Sequence, residues 1–416
     1  MGLLWCFVVL PRFSPIHQVF DLNGFGTIGE NIAIGKGFSN GAGPTMRRAP
    51  LYPTLIAGVF NITGYNSDNR ERSYTPLIVL QCFFAGLSCL CVYLIGRQLF
   101  GERTGVLAGV LCAFWPQCLR YLGAVDVEAT NTLLITLITL ATVHLRRSPN
   151  IKNGALAGLA IGAATLVKPL PLLFPLVIAL LLWPPKGVRY PAKALAACIL
   201  TLVAICLPWV VRNHIVSHGR FHGISTNAAG EFLRGYVNAR PEYVLLKKPF
   251  QGSWDWDANM YEEAILMQHG FGFFSIINGQ TRPMIDNVQN ELTKDGIEAA
   301  EIRRRIVQEP GGILRKWVIQ IFTFWYIVET PAKAIMVGIF ALLALIPAAI
   351  GVKSAVNHGK DYLPPVAVVL YFNILYAAVL SFARYSMPIF PTLLVLSAYG
   401  WLAIFTKYRH QAVSAS

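Results

Sequence analysis

The residues best suited to chemistry lie in a polar stretch near the start of the chain, from Asp21 to Pro53. Asp21 stands in front of a glycine-rich run, and Arg47 and Arg48 lie near the end of the stretch. A carboxylate can act as a general base, and an arginine can bind a phosphate through two parallel hydrogen bonds. The pattern therefore favours a site, although a solvated loop aspartate or a helix cap would have the same sequence.

A second acidic pair, Asp126 and Glu128, stands directly in front of an apolar run at 129–145. In the first turn of a helix such residues complement the helix dipole, which is their ordinary explanation. The functional alternative is that they face Asp21, where they could orient an acceptor. Asp21 and Glu128 would then also be the ligands of a divalent cation, the one cofactor that the sequence leaves open.

Basic residues lie at the ends of apolar runs on the face predicted for Asp21. They are Arg47, Arg48, Lys168, Arg212 and Arg384. Snorkelling to lipid headgroups explains them, but together, with Tyr385 beside the last, they could clamp a phosphate. A lipid phosphate leaves as a stable anion, so one aspartate as base and cations on the leaving group would suffice for transfer from such a donor.

The composition is that of a membrane protein. The 416 residues are 55% hydrophobic and 13% charged, with a mean hydropathy of +0.51. Apolar runs long enough to approach the ~20 residues of a membrane-spanning helix recur along the chain. We predict spans at 75–97, 103–119, 129–145, 154–168, 170–184, 192–211, 332–352, 362–382 and 387–405.

Met1–Leu10 is a further apolar segment, closed by Pro11 and too short to span alone. It has no basic region and no small-residue cleavage site, which argues against a cleaved signal peptide. We expect it to belong to a first, truncated span. The sequence thus predicts an all-α polytopic fold with about ten transmembrane helices.

Basic residues are concentrated in alternate loops, at 97–103, 146–152, 186–193, 353–360 and 407–409. The positive-inside bias predicts that these loops face the cytoplasm. The first loop, residues 11–74 with its juxtamembrane helices, and the polar segment 212–331 are then external. We expect a bacterial inner-membrane protein whose active site faces the periplasm.

Three regions follow from this topology. Residues 1–211 form an N-terminal transmembrane module, 212–331 an external segment with interfacial helices, and 332–416 the C-terminal spans and tail. Within the external segment, residues 295–309 show helical spacing of apolar residues, and we expect Gly311 and Gly312 to end that helix.

The net charge of +14 comes without aromatic-basic interleaving or a nucleic-acid fold signature, so nucleic acid is not an expected partner. Membrane lipids are the natural partner of the basic loops. All eight cysteines fall in or beside apolar runs and none has metal-ligand spacing, which predicts buried thiols and no disulfides.

The chain resembles the GT-C type membrane glycosyltransferases, in the bacterial branch related to protein O-mannosyltransferases and the lipid A aminoarabinose transferase. The motifs that carry the resemblance are Asp21-x3-Phe25, Gly35-x-Gly37-Phe38-Ser39, Arg48-Ala-Pro-Leu-Tyr-Pro53, Asp126-Val-Glu128, Pro208-Trp-Val-Val-Arg212-Asn213, Gly230 to Gly235, Glu298 to Trp325, Ala383-Arg384-Tyr385-Ser-Met-Pro388 and Ala398-Tyr-Gly400. Each motif is loose, but they occur in the expected order over nearly the whole chain. Phe25 departs from the family, where a tyrosine is usual.

The resemblance implies an inverting transferase that takes a sugar from a polyprenyl-phosphate carrier on the outer face and transfers it to a protein, lipid or glycan acceptor. It implies that Asp21 is the catalytic base or activates the acceptor. It also implies that Glu128 positions acceptor or metal and that Arg384 holds the lipid phosphate.

Other classes fit a many-span basic protein. A transporter or lipid flippase should show internal repeats and ionisable residues within its spans, and we find neither. An O-antigen-ligase-like or polymerase-like enzyme should lack the pattern from Asp21 to Pro53. A non-catalytic assembly subunit would be indicated by full function of an Asp21→Asn variant.

Overall fold

The computed structural model describes residues 1–9, 23–40, 43–183, 190–246, 254–271, 274–277, 280–283, 287–328 and 330–414. Asp21, the predicted base, lies outside the described residues.

Helices dominate the described residues, with one short antiparallel hairpin between Phe274–Ile277 and Gln280–Pro283. The main helices are α1 (Phe25–Ala33), α2 (Leu51–Thr63), α3 (Thr75–Phe100), α4 (Glu102–Phe114), α5 (Glu128–Arg147), α6 (Ile151–Thr165), α7 (Leu170–Leu181), α8 (Ala192–Val216), α9 (Ala228–Asn238), α10 (Trp254–Gln268), α11 (Val288–Gln308), α12 (Pro310–Thr323), α13 (Pro331–Asn357), α14 (Leu363–Val379) and α15 (Phe390–Ser414). Shorter helical turns are Gly2–Leu4, Trp5–Val9, Ser67–Asn69, Arg70–Ser73, Pro116–Leu119, Pro241–Val244, Ala383–Ser386 and Met387–Ile389.

Each predicted span overlaps one of these helices, so the helical class expected from the sequence is confirmed. Within the described residues, five helices are long and apolar enough to cross a membrane: α3, α5, α8, α13 and Ala383–Thr406. The total of about ten spans stays a prediction.

Glycine allows two pairs of these helices to pack backbone against backbone. A Cβ on Gly400 of α15 would overlap the carbonyl oxygen of Pro347 in α13. A Cβ on Gly154 of α6 would overlap the carbonyl oxygen of Ala194 in α8. Such close contacts stabilise helix pairs in lipid, where apolar side chains alone give little preference for protein over lipid.

The connecting loops collect at two ends of the bundle. At one end the Arg146 guanidinium lies 3.0 Å from the Asp361 carboxylate, and Arg147 donates to the carbonyl of Gln98. At the other end lie the first loop, the turn before α5, and the segments that carry Lys168 and Arg384. The fold thus places most of the predicted site residues at one end, while the membrane face of that end stays a prediction.

The helix expected at 295–309 is present but longer, as α11. The predicted end of this helix at Gly311 and Gly312 is wrong, because both glycines lie in the first turn of α12. The break falls at Glu309, whose φ of −134° and ψ of 50° are non-helical. Pro310 explains it, because proline lacks the N–H of a continuing helix and disfavours helical geometry in the preceding residue.

A buried ionic group joins three helices of the polar segment. Lys294 of α11 lies 2.6 Å from Glu262 of α10 and 2.7 Å from Glu298 of α11. Gly230 of α9 packs against all three, and a Cβ there would crowd their charged atoms. Burial and the nearby Glu262 raise the pKa of Glu298 to about 9, so Glu298 is protonated at neutral pH.

This group makes stability depend on pH. Folded Glu298 keeps a proton that an unfolded chain releases near the ordinary glutamate pKa of ~4.3, so rising pH between that value and about 9 favours unfolding. We expect the thermal midpoint in detergent to fall more steeply from pH 6 to pH 9 in the wild type than in Glu298→Gln, which stays neutral.

The matched control is Glu301→Gln on the same helix. Glu301 pairs with Arg304 and Arg305 and has its pKa lowered to about 2, below the tested range. Its variant should therefore keep the wild-type pH slope. Equal slopes for the wild type and Glu298→Gln would contradict the assignment.

Candidate active site

Two buried carboxylates share one arginine at the end of the bundle. Glu128 is the first residue of α5, fully buried, and Asp126 is 6% exposed in the turn before it. Arg384, from the helical turn before α15, places Nη2 2.7 Å from Asp126 Oδ2 and Nε 2.5 Å from Glu128 Oε1. The structure thus brings together three of the residues predicted from the sequence.

Lys168 completes the pairing of Glu128. It lies in the link between α6 and α7, and its Nζ donates to both Glu128 oxygens, at 3.2 and 3.1 Å. The same Nζ lies 4.6 Å from the centroid of the Tyr385 ring, which stacks on Tyr376. Tyr385 therefore supports the lysine with its ring face.

The first loop reaches this cluster through Asn23 and Arg48. The side-chain amide of Asn23 donates to Asp126 Oδ2 at 3.1 Å. Arg48 Nε donates to the carbonyl oxygen of Asn23 at 2.8 Å, and its guanidinium lies 5.0 Å from the centre of the Phe25 ring. Arg48 is thus tied to the same group of residues as Asp126.

The resulting charge favours an anion. Burial lowers the pKa of Arg48 to about 10, which leaves it protonated at neutral pH. Burial also raises the pKa of Asp126, against the opposing effect of Arg384. With both carboxylates ionised, the three cations Arg48, Lys168 and Arg384 still exceed the acids by one charge. Among the described residues, Arg384 pairs with the acids through Nε and Nη2, which leaves Nη1 for a ligand.

Arg212 and Arg47 both bind residues of the first loop. Arg212 Nη1 donates to the carbonyl of Thr45 at 2.7 Å and Nη2 to that of Phe38 at 3.2 Å, so this arginine supports the first loop. It also stacks on the Trp209 ring at 4.7 Å. The backbone N–H of Arg47 donates to the Thr45 hydroxyl at 3.1 Å.

The donor set around Glu128 is poorly suited to a divalent cation. Both of its oxygens accept from Lys168 or Arg384, and a metal there would lie beside two positive charges. Within the described part of the chain, no three His, Cys, Asp or Glu residues are grouped to hold a metal. A site formed by Asp21 and Glu128 stays a prediction from the sequence.

An apolar cavity opens beside the cluster. It has a volume of about 520 Å³ and is lined by Met1–Leu3, one side of α3, and Ala129 and Thr132 in the first turns of α5. Met387, one turn after Arg384, also lines it. Ala129 follows Glu128 and Met387 lies one turn after Arg384, so the cavity reaches the same end of the bundle as the cluster, an arrangement that fits a ligand with a charged head and a hydrocarbon chain.

The sequence did not single out Asn23, Tyr376 or Glu291, although all three contact predicted residues or their loop. Asn23 follows Asp21 by two positions and could have been included with its motif. Glu291 offered no signal, because the backbone N–H it binds, that of Met46, lies 245 positions away in the chain.

The chain is similar to known proteins in part of its sequence and in its fold. A family model described as dolichyl-phosphate-mannose-protein mannosyltransferase matches residues 47–211, a range that includes Arg48, Asp126, Glu128 and Lys168. No curated protein sequence matches the chain.

The fold is shared with solved structures of archaeal oligosaccharyltransferase. The apo oligosaccharyltransferase of Archaeoglobus fulgidus aligns with 100% of this chain and 51% of its own, at 15% identity and a TM-score of 0.54. The same archaeal enzyme, AglB, in complex with an inhibitory peptide and a dolichol-phosphate aligns with 94% of this chain and 47% of its own, at 15% identity and a TM-score of 0.51. ArnT from Cupriavidus metallidurans bound to undecaprenyl phosphate gives 14% identity over 90% of this chain and 72% of its own, with a TM-score of 0.38. The chain has the GT-C fold and spans about half the length of the archaeal structures.

The paired charges predict a non-additive stability effect. Arg384→Gln leaves Asp126 and Glu128 with one buried neutralising partner fewer, and we expect a loss of about 3–5 kcal/mol. Adding Asp126→Asn should restore part of that loss, because one uncompensated carboxylate is removed. Thermal unfolding of the single and double variants in detergent measures both effects.

Arg146→Gln is the control, because its pair with Asp361 lies at the other end of the bundle with side chains 29% and 32% exposed. This variant should lose no more than about 1 kcal/mol. Strict additivity of Arg384→Gln and Asp126→Asn would show that the two residues are not coupled.

Proposed function

We propose that this chain is an integral-membrane glycosyltransferase that transfers a sugar from a polyprenyl-phosphate donor to an acceptor on the non-cytoplasmic face. The observation that carries the proposal is the cationic cluster of Arg384, Lys168 and Arg48 around two buried carboxylates, beside an apolar cavity. The family match over residues 47–211 supports the donor class. So does the fold shared with AglB, which was solved with a dolichol-phosphate.

The donor would bind with its phosphate at the charged cluster and its hydrocarbon chain in the apolar cavity. The phosphate would sit against Arg48, Lys168 and Arg384, whose combined charge exceeds that of Asp126 and Glu128. The isoprenoid chain would enter the cavity at α3 and α5, where burial of each methylene stabilises binding by about 0.8 kcal/mol. The cations would also stabilise the charge that develops on the phosphate as it leaves.

Transfer would be a single displacement with inversion. The acceptor oxygen attacks the anomeric carbon from the face opposite the phosphate, and the bond from that carbon to the phosphate oxygen breaks. The electron pair leaves with the polyprenyl phosphate, and the proton of the acceptor goes to Asp21 as general base. Asp126 and Glu128 keep Arg384 and Lys168 in place, and the lipid phosphate needs no proton to depart.

The face and compartment of the reaction rest on the charge pattern. Basic loops at 97–103, 146–152 and 353–360 favour the cytoplasm for the opposite end of the bundle. The cluster would then face the periplasm of a bacterial inner membrane. The acceptor would be a protein, lipid or glycan whose nucleophilic group reaches the periplasmic face.

Asp21→Asn should abolish transfer without loss of folded protein, because an amide cannot take the acceptor proton. We expect a reduction of at least about 10²-fold. Mass spectrometry of cell-envelope glycans and lipid-linked sugars, in cells that lack the gene and in cells complemented with each variant, measures the effect.

Asp68→Asn is the matched control, because Asp68 lies exposed in the same first loop. It should restore the glycan to the wild-type level. A glycan restored equally by Asp21→Asn would remove Asp21 as the base, and an envelope unchanged by loss of the gene would count against the transferase.

A further inference from the structure

The polar segment is connected to the first loop through Glu291. This glutamate lies in the first turn of α11 and is 2% exposed. Its Oε1 accepts a short hydrogen bond from the Thr45 hydroxyl, and its Oε2 accepts one of 2.8 Å from the backbone N–H of Met46. Both oxygens therefore bind consecutive residues of the first loop, and both of those residues are fully buried.

The same two loop residues are held from other directions. Arg212 of α8 donates to the Thr45 carbonyl at 2.7 Å. The N–H of Thr226, between α8 and α9, donates to the Met46 carbonyl at 3.2 Å. The loop at Thr45 and Met46 is thus fixed by hydrogen bonds from α8, from α11 and from the connection to α9.

This fixed point lies close to the candidate site. Arg48 follows Met46 by two residues, and it donates to the carbonyl of Asn23, whose amide donates to Asp126. The next contact along the loop, from the N–H of Leu51 to the Leu166 carbonyl at 2.9 Å, ties its far end to the segment before Lys168. A continuous series of contacts therefore runs from Glu291 to the acidic cluster.

The contacts of Glu291 are those of a positioning group. Among the described residues it makes no ion pair, and the charges that face it, Arg47 and Arg212, act at longer range. Burial raises the pKa of Glu291, because desolvation disfavours the ionised carboxylate. Its two hydrogen bonds partly offset this effect. The two hydrogen bonds of this buried carboxylate therefore help to fix the geometry of the loop at Thr45 and Met46.

We propose that Glu291 is a positioning residue of the donor-phosphate site, and that it holds Thr45 and Met46 so that Arg48 stays beside Asn23 and Asp126. The inference rests on the proposed transferase, and it extends the site to a segment far away in sequence. A displacement of Arg48 by about 1 Å would be enough to weaken charge-assisted contact with a phosphate.

The first measurement addresses the loop itself. Glu291→Gln keeps the shape of the side chain but only one of its two acceptor oxygens. Thr45→Val removes the hydroxyl that donates to Oε1 of Glu291. Hydrogen–deuterium exchange of peptides covering residues 44–50 should be faster in Glu291→Gln, because the Met46 N–H exchanges an ionised carboxylate for one neutral amide oxygen, a weaker acceptor that it must share with the Thr45 hydroxyl. Wild-type exchange in this variant would overturn the proposal independently of any enzyme activity.

The second measurement addresses the phosphate site. Binding of undecaprenyl phosphate to the purified full chain in detergent, followed by tryptophan fluorescence, should be about 10-fold weaker in Glu291→Gln and in Thr45→Val, equivalent to about 1.4 kcal/mol. The double variant should lose less affinity than the sum of the two single losses, because both changes break the shared hydrogen bond between Thr45 and Glu291.

Glu301→Gln is the control, with the same substitution on the same helix at a residue paired with Arg304 and Arg305. Its affinity should equal that of the wild type. A lower thermal midpoint of Glu291→Gln at unchanged affinity would make Glu291 a structural residue only, and would overturn its positioning role. Absence of binding by the wild type would instead refute the proposed donor, and the donor-site role of Glu291 with it.

Discussion

Arg384 makes two ion pairs at once, with Asp126 on one side and Glu128 on the other, and the geometry of the candidate site depends on this arrangement. Two carboxylates buried alone would cost several kcal/mol each, and they are tolerated because Arg384 and Lys168 lie within hydrogen-bond distance. The pairing joins the helix that begins at Glu128 to the turn before the last helix. It also fixes the distance between the cations that a phosphate would contact.

The first loop and the polar segment depend on this pairing and on each other. Asn23 and Arg48 connect the loop to Asp126, and Glu291 and Arg212 hold the loop from the opposite side. Most of these bonds go to backbone carbonyl or N–H groups. They therefore hold the backbone conformation of the loop and depend little on its side chains. These polar contacts add to a hydrophobic cluster in which Phe25, Tyr52 and Ile56 of the first loop are buried.

The balance of charges in the cluster also underlies the proposed binding of a phosphate. The cluster of Arg48, Lys168 and Arg384 against Asp126 and Glu128 is nearly neutral, so it can be buried at moderate cost. Its single excess positive charge is enough to attract an anionic headgroup. The cavity at Ala129 and Met387 lies at the same end of the bundle, where it could take the hydrocarbon chain of a ligand whose phosphate binds the cluster.

Hydropathy along the sequence was sufficient to predict the helical class and the positions of the five long apolar helices, because burial in lipid demands long uninterrupted apolar runs. The shorter apolar helix Leu51–Thr63 was not among the predicted spans. The charged residues at the ends of apolar runs also included Asp126, Glu128, Lys168 and Arg384, which the structure brings together. The helix end expected at Gly311 and Gly312 was wrong, since a proline at the preceding position outweighs two glycines.

Only the tertiary structure decided which charged residues meet. From the sequence, Arg48 and Arg212 were equally good candidates for phosphate ligands, yet Arg48 lies with the acids and Arg212 binds loop carbonyls. Glu291 could not be found at all, because a contact across 245 positions leaves no local pattern. Local composition determines which segments enter a membrane, whereas the partner of each buried charge is determined by how the helices and loops pack at the end of the bundle.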